Sequence, residues 1–324
     1  MNNKYIGHAS QIYGVEEVRL VGTKGDGMRI LNVKNAKGLC FSVSADRAAD
    51  ISRISFKGDN YGYFAPCGYV SPAYFDDKGE GFLKSFTAGF MTTCGLTAVG
   101  DPCTDNGEDL PLHGTISHIP AENIYHYIED DKIHIKAVVK DAALFSHQLV
   151  LEREYICPIY ENVIQMIDKI KNVGAKETPF EILYHCNIGY PLLSENAKVK
   201  IPASKVLPRN EHAASDILNC LKMHEPQADY EEMCFYHEMS GETTVSIFNP
   251  DIKKGLNMHY DADSLKCFTE WKMLGEYDYV LGLEPGNCYP DGRDVMREKG
   301  ILEFLKPGEE RNYKITFEFT ESEN

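Results

Sequence analysis

Apolar and polar residues alternate with a period of two over much of this chain. From Lys132 to Lys140, Ile133, Ile135, Ala137 and Val139 fall on one side, and Lys132, His134, Lys136 and Val138 on the other. Near the C-terminus, Tyr313, Ile315, Phe317 and Phe319 alternate in the same way with Asn312, Lys314, Thr316 and Glu318. Successive side chains of a strand point to opposite faces, so both runs predict strands with one buried face. Comparable patterns predict strands at 28–34, 38–44, 51–57, 147–156, 161–173, 180–188, 198–200, 243–248, 256–260, 265–272 and 277–284. Turn residues such as Lys57-Gly58-Asp59-Asn60 and Lys306-Pro307-Gly308-Glu309 separate many of them. Helical periodicity is weak: only 211–222 offers an apolar stripe, through Ala213, Ala214, Ile217, Leu218 and Leu221. Many short strands without βα alternation, fixed repeat or low-complexity linker predict an all-β fold. The expected form is a large antiparallel sandwich or barrel, as one domain over residues 1–324. The stretch 60–125 is long, irregular and rich in Gly, Pro, aromatic and polar residues, and such loops in compact β domains are usually functional.

Composition narrows the class. With 324 residues, 43% hydrophobic and 25% charged, the chain reads as globular. Its net charge of -16 is spread along the sequence, which argues against nucleic acid or an anionic membrane as partner. No apolar run approaches the length of a membrane span, and the start Met1-Asn2-Asn3-Lys4-Tyr5 has no signal-peptide core. The ten cysteines show no CxxC pair or regular spacing, so reduced, mostly buried thiols and a cytoplasmic location are expected. No clustered ligand spacing suggests a metal, and no GxSxG, P-loop or GxGxxG follows a strand. Gly22-Thr23-Lys24-Gly25-Asp26-Gly27 reads as a hairpin turn rather than a phosphate cradle.

Two short segments carry candidate chemistry. In Tyr184-His185-Cys186-Asn187, alternation puts Leu183, His185 and Asn187 on one face, so an imidazole and an amide stand side by side. In Gly282-Leu283-Glu284-Pro285-Gly286-Asn287, Gly282 leaves space beside the Glu284 carboxylate, and half-burial would raise its pKa toward that of a general base. A core histidine and an edge glutamate facing water are the structural alternatives. His113, before Gly114 in the long loop, could reach a ligand, and His118 five residues on could make it a metal pair. Arg47 stands between Asp46 and Asp50, so a salt bridge competes with a binding role. Trp271, beside Lys272, could stack on a sugar or fill the core. Arg293 and Arg297 follow the glutamate strand closely enough to reach the same pocket.

Taken in order, Asp46-Arg47-Ala48-Ala49-Asp50-Ile51, Thr92-Thr93-Cys94-Gly95-Leu96-Thr97, Leu112-His113-Gly114, Tyr184-His185-Cys186-Asn187 and Leu283-Glu284-Pro285-Gly286-Asn287 resemble the aldose 1-epimerase (galactose mutarotase-like) superfamily. The closing Gly300-Ile301-Leu302-Glu303-Phe304-Leu305-Lys306-Pro307-Gly308-Glu309 also fits, so the resemblance runs over roughly residues 20–320. It is strongest to a divergent bacterial branch, domain of unknown function 4432. The resemblance implies a β-supersandwich and an isomerase that interconverts sugar anomers without cofactor or metal. It further implies that His185 protonates the ring oxygen, that Glu284 deprotonates the anomeric hydroxyl, and that His113 helps bind the sugar. Arg47, Asn187, Lys272, Asn287 and Arg293 are the implied hydroxyl contacts. The segment Cys186-Asn187-Ile188-Gly189-Tyr190-Pro191-Leu192 and the Pro285-Gly286 pair depart from classical galactose mutarotases, which leaves the sugar open. The expected partner is a small-molecule carbohydrate, and the expected state a monomer or homodimer. A non-catalytic carbohydrate-binding protein, or another sugar isomerase or lyase on the same scaffold, is the alternative.

Overall fold

The computed structural model describes residues 4–323; Met1, Asn2, Asn3 and Asn324, which the expected 1–324 domain includes, lie outside them. Three antiparallel sheets account for most of the chain. The first is a five-stranded meander from Gly14 to Asn60. The second has eight strands, ordered in space as 123–129, 132–142, 148–158, 163–172, 310–320, 254–261, 242–249 and 198–200. The third runs 205–208, 233–238, 267–274, 279–286, 178–188 and 303–305, with the strand Met91–Leu96 paired along residues 181–186. The alternation read from sequence is what packs these layers. Ile133, Ile135, Ala137 and Val139 enter the same apolar cluster as Ile182, Tyr184, Cys186 and Ile188 from the third sheet and Leu31, Val33, Phe41 and Val43 from the first. Burial of such side chains stabilises by roughly 1.5–3 kcal/mol each. No helix of the described residues is long and apolar enough to cross a membrane.

Three sheets meet at one buried cation. Arg153, on the second sheet, bonds Asp168 of that sheet (2.8 and 2.6 Å), Asp50 of the first (2.6 Å) and Thr93 of the third (2.8 Å). The Tyr184 hydroxyl donates to Asp168 at 2.9 Å from directly behind His185. Guanidinium forks satisfy several acceptors at once, so this interior charge is fully paired.

Two local expectations change. The stripe at 211–222 is not one helix: a single α turn, Glu211–Ala214, gives way to a 3-10 turn, Ile217–Asn219. Asp216 between them has non-helical backbone (φ -125°, ψ 19°), and Leu218 points fully into solvent. The strand Met91–Leu96 lies inside the region read as irregular; all six residues are buried, so no alternation marks it. All ten cysteines are free thiols, seven of them buried.

Candidate active site

The site grows from one sheet register. Cys186 pairs with Leu283 and Asn187 with Gly282, which sets His185 and Glu284 side by side on neighbouring strands. Leu281 and Leu283 face the core, so Gly282 and Glu284 face away from it. On the other side of the glutamate strand, Thr269 pairs with Glu284 and Trp271 with Gly282. The strand continues through Pro285 to Gly286 rather than ending at the proline. A Cβ on Gly282 would lie 2.2 Å from Glu284 Oε1, so the space beside the carboxylate is filled by the carboxylate itself.

The two proton-handling groups meet. His185 Nε2 lies 3.2 Å from Glu284 Oε1, and both residues are nearly sealed from bulk solvent (5% and 2% exposed). Glu284 Oε1, His185 Nδ1 and Thr269 Oγ1 are buried without an aligned hydrogen-bond partner. Buried polar atoms of native proteins are overwhelmingly bonded, so three orphans around one cavity point to a polar ligand. Burial, and then the Glu232 charge, raises the Glu284 carboxyl well above its ordinary 4.5 against the opposing pull of Arg209. Burial, and then His113, holds the His185 imidazole well below its ordinary 6.5. The favoured resting pair is therefore a protonated carboxyl beside a neutral imidazole, with one proton shared between two groups in reach of each other.

Loops complete the wall. His113 sits in left-handed backbone (φ 57°), uncommon for a residue with a Cβ. Its N–H donates to Gly100 O (2.9 Å) and its carbonyl accepts from Gly95 N (3.1 Å). Its ring stands edge-on to His185, centroids 5.6 Å apart. Burial, and then Arg209, holds His113 down to about 4. Phe86 and Trp271 each approach the His185 ring edge-on at 5.2 Å. The cavity these groups line has a volume of about 230 Å³, with Glu80, Asp101, Arg209 and Glu232 toward its rim. That is slightly below the range of about 300–1,000 Å³ usual for drug-sized ligands and suits one small ring.

Of the eight site residues that the resemblance implies, His185, Glu284 and His113 line this cavity and Arg47, Asn187, Lys272, Asn287 and Arg293 do not. Arg47 gives its donors to the carbonyls of Ser117, Val70 (3.0 Å) and Ser85 (2.9 Å) and meets His118 at 3.0 Å, away from Asp46. His118 is stacked on Phe75 and held by Arg47 and Ser85, so it forms no metal pair with His113. Asn187 is turned back on its own strand, donating to the His185 carbonyl at 2.8 Å. Asn287 accepts from Ile182 N at 2.7 Å and donates to Phe180 O at 3.2 Å, clamping the histidine strand. Arg293 binds Asp105 (2.7 Å) and Glu108 (2.6 Å), which with Arg297 pins the loop that carries His113. Lys272 points to the opposite face of its strand from Trp271 and donates to Asn219 O at 3.1 Å.

Arg209, Glu232, Thr269, Phe82 and Phe86 are wall residues that the sequence does not mark. Arg209 is held by Asp101 (2.5 Å) and, at 3.4 Å, by Asp291. Glu232 accepts from the Trp271 indole at 2.6 Å and fixes that ring over the cavity. Trp271, for which the sequence allows stacking or core filling, is partly buried at the cavity wall and not in the core.

The sheets and the paired carboxyl and imidazole define a galactose mutarotase-like β-sandwich protein. The chain belongs to the family described as Domain of unknown function (DUF4432), whose model matches residues 25–319. It is similar to a Klebsiella pneumoniae subsp. pneumoniae protein proposed to be an aldose 1-epimerase, at 26% identity and TM-score 0.90, covering 95% of this chain and 83% of that one. Galactose 1-epimerase from Lactobacillus acidophilus shares the fold at 15% identity and TM-score 0.65, covering 96% and 100%. A galactose mutarotase-like protein from Clostridium acetobutylicum does so at 14% identity and TM-score 0.68, covering 96% and 99%. Among curated proteins, none matches the sequence.

Proposed function

We propose that this protein is an aldose 1-epimerase-like isomerase that interconverts the anomers of a small sugar, acting as a single domain through His185 and Glu284. The observation that carries this reading is the 3.2 Å approach of the two groups inside a ring-sized cavity with unpartnered polar atoms. The ring oxygen and the anomeric hydroxyl of a cyclic sugar are bonded to the same carbon. An acid and a base that serve both oxygens must therefore be neighbours. Glu284 as carboxylate takes the hydroxyl proton while His185 as imidazolium gives one to the ring oxygen. The C1–O5 bond breaks, leaving an open-chain aldehyde. After rotation about C1–C2, the oxygen closes on the other face and both protons return. The pair holds one proton at every stage: carboxylate with imidazolium before opening, carboxyl with imidazole after it. Burial favours the neutral state, so the ionised pair that starts ring opening is the minor proton arrangement of the resting pair, and opening returns it to carboxyl and imidazole. His113 and the Trp271 indole face are assigned to holding the sugar against the pair.

Anomer exchange followed by NMR exchange spectroscopy on a panel of free aldoses tests the reading. Wild-type protein is expected to accelerate exchange of at least one aldose. Glu284→Gln and His185→Asn are each expected to lose about 10²–10⁴-fold with the fold retained. Full activity in both variants refutes it. Binding without accelerated exchange instead identifies a carbohydrate-binding protein, and products other than the two anomers identify a different sugar isomerase or lyase.

A further inference from the structure

A second group of reactive side chains gathers on the reverse side of the sheet that carries the cavity. Along the strand Cys267–Leu274, Thr269 and Trp271 line the cavity, so Glu270 and Lys272 point the other way. On the adjacent strand Met233–Glu238, Cys234 lines the cavity and His237 points the same way as Glu270. The broken-helix segment then lays Cys220 over both, anchored by an apolar contact of Ala213 and Cys220 with Phe235. One donor atom each of Cys220, His237 and Glu270 lies within 4.8 Å of the other two. The residues are 7%, 1% and 0% exposed.

His237 Nε2 meets Glu270 Oε2 at 2.9 Å. Glu270 Oε1, His237 Nδ1 and the Tyr230 hydroxyl are buried without a hydrogen-bond partner. An imidazole, a carboxyl and a thiol placed together out of water cost several kcal/mol unless something compensates them, and the only cation beside them among the described residues, Lys272, gives its hydrogen bond to Asn219 O instead. The proposed sugar chemistry makes no use of them, because the sheet separates them from the cavity. Thiolate, imidazole and carboxylate are the three donor types of zinc, which binds them at about 2.0–2.3 Å. Donors mutually within 4.8 Å can converge on one ion by small side-chain rotations.

We propose that Cys220, His237 and Glu270 form a zinc site that fastens the segment around 211–223 to the sheet. Water completes the tetrahedron. The three ligands are 17 and 33 residues apart, so no metal-binding motif shows in the sequence. Binding exchanges the thiol S–H bond for a sulfur–zinc bond and releases that proton to solvent.

Metal-stripped full-length protein titrated with Co²⁺ alone, then with Zn²⁺, decides the matter. One equivalent of Co²⁺ is expected to produce a thiolate-to-cobalt charge-transfer band that Zn²⁺ abolishes. The band is expected to be lost completely in Cys220→Ser and in Glu270→Gln. On wild-type protein, Zn²⁺ is expected to shield one cysteine from alkylation, identified as Cys220 by peptide mapping; this readout stands even if a variant fails to fold. No stoichiometric uptake by wild-type protein overturns the proposal and leaves Lys272 as the cation that balances Glu270. Persistence of the band in Cys220→Ser, or shielding of a different cysteine, also overturns it.

Discussion

The carboxylate of Glu284 lies over Gly282, two positions earlier on the same strand, in the space where any other residue would carry its Cβ. That Cβ would also come 2.9 Å from the Cβ of Trp271. A single glycine thus lets the acid fold back toward His185 while the indole stays against the wall.

Gly282→Ala is therefore expected to cost activity through geometry alone. The added methyl displaces Oε1 from the imidazole, and a misplacement on the order of 1 Å can cost about 10²-fold in rate. Steady-state kinetics on the substrate found by the exchange panel would show kcat falling while KM moves little. Unchanged kcat would mean that the carboxylate position does not matter.

The pH profile should be flat where an ordinary histidine would bend it. His185 is held well below 6.5 and Glu284 well above 4.5, chiefly by burial. The pair gains a second proton only in acid below the usual histidine range, and loses its last only above the usual glutamate range. The expected kcat/KM profile has its acid limb below the usual histidine range, and an acid limb centred near 6.5 would contradict it.

Removing the shared cation should destabilise far more than removing a surface charge. Arg153→Met leaves Asp50 and Asp168 buried without their partner. Breaking a buried pair from one side typically costs about 3–5 kcal/mol. Urea unfolding at neutral pH should show that loss, and Asp50→Asn combined with Asp168→Asn in the same background should recover part of it.

Glu181 gives stability a pH dependence of opposite sense to ordinary carboxylates. It accepts from Val99 N at 2.9 Å, yet burial pushes it up to about 8 from 4.5. A folded pKa above the unfolded one means stability fully present below 4.5 and lost as pH rises toward and through 8. Glu181→Gln keeps an acceptor for Val99 and should flatten the decline of Tm over that window, measured by calorimetry. Burial of Glu284 gives the same sign, so the slope should shrink rather than vanish.

Legibility in the sequence followed solvent exposure. Strands such as 132–142 and 310–320 have one wet face, and their alternation is plain. Met91–Leu96 is buried throughout and left no period to read. His185 and Glu284 stood out because titratable groups in otherwise apolar strands demand a reason. The cationic candidates misled for the reverse reason. A sequence shows that Arg47 or Arg293 carries charge, but not that Ser117, Val70 and Ser85 carbonyls, or Asp105 and Glu108, already consume it. Arg209 and Glu232 look like ordinary surface residues until the fold brings them to the cavity rim.

The clasp of Arg293 and Arg297 on Asp105 has a kinetic meaning. It joins the loop bearing His113 to the segment that follows Glu284, while Asn287 joins that segment to the strand bearing His185. The three groups around the cavity are thereby parts of one cross-linked frame. The proposed turnover then needs no hinge on this side of the cavity, and a ligand's way in and out lies past exposed lining residues such as Glu80 and Leu83.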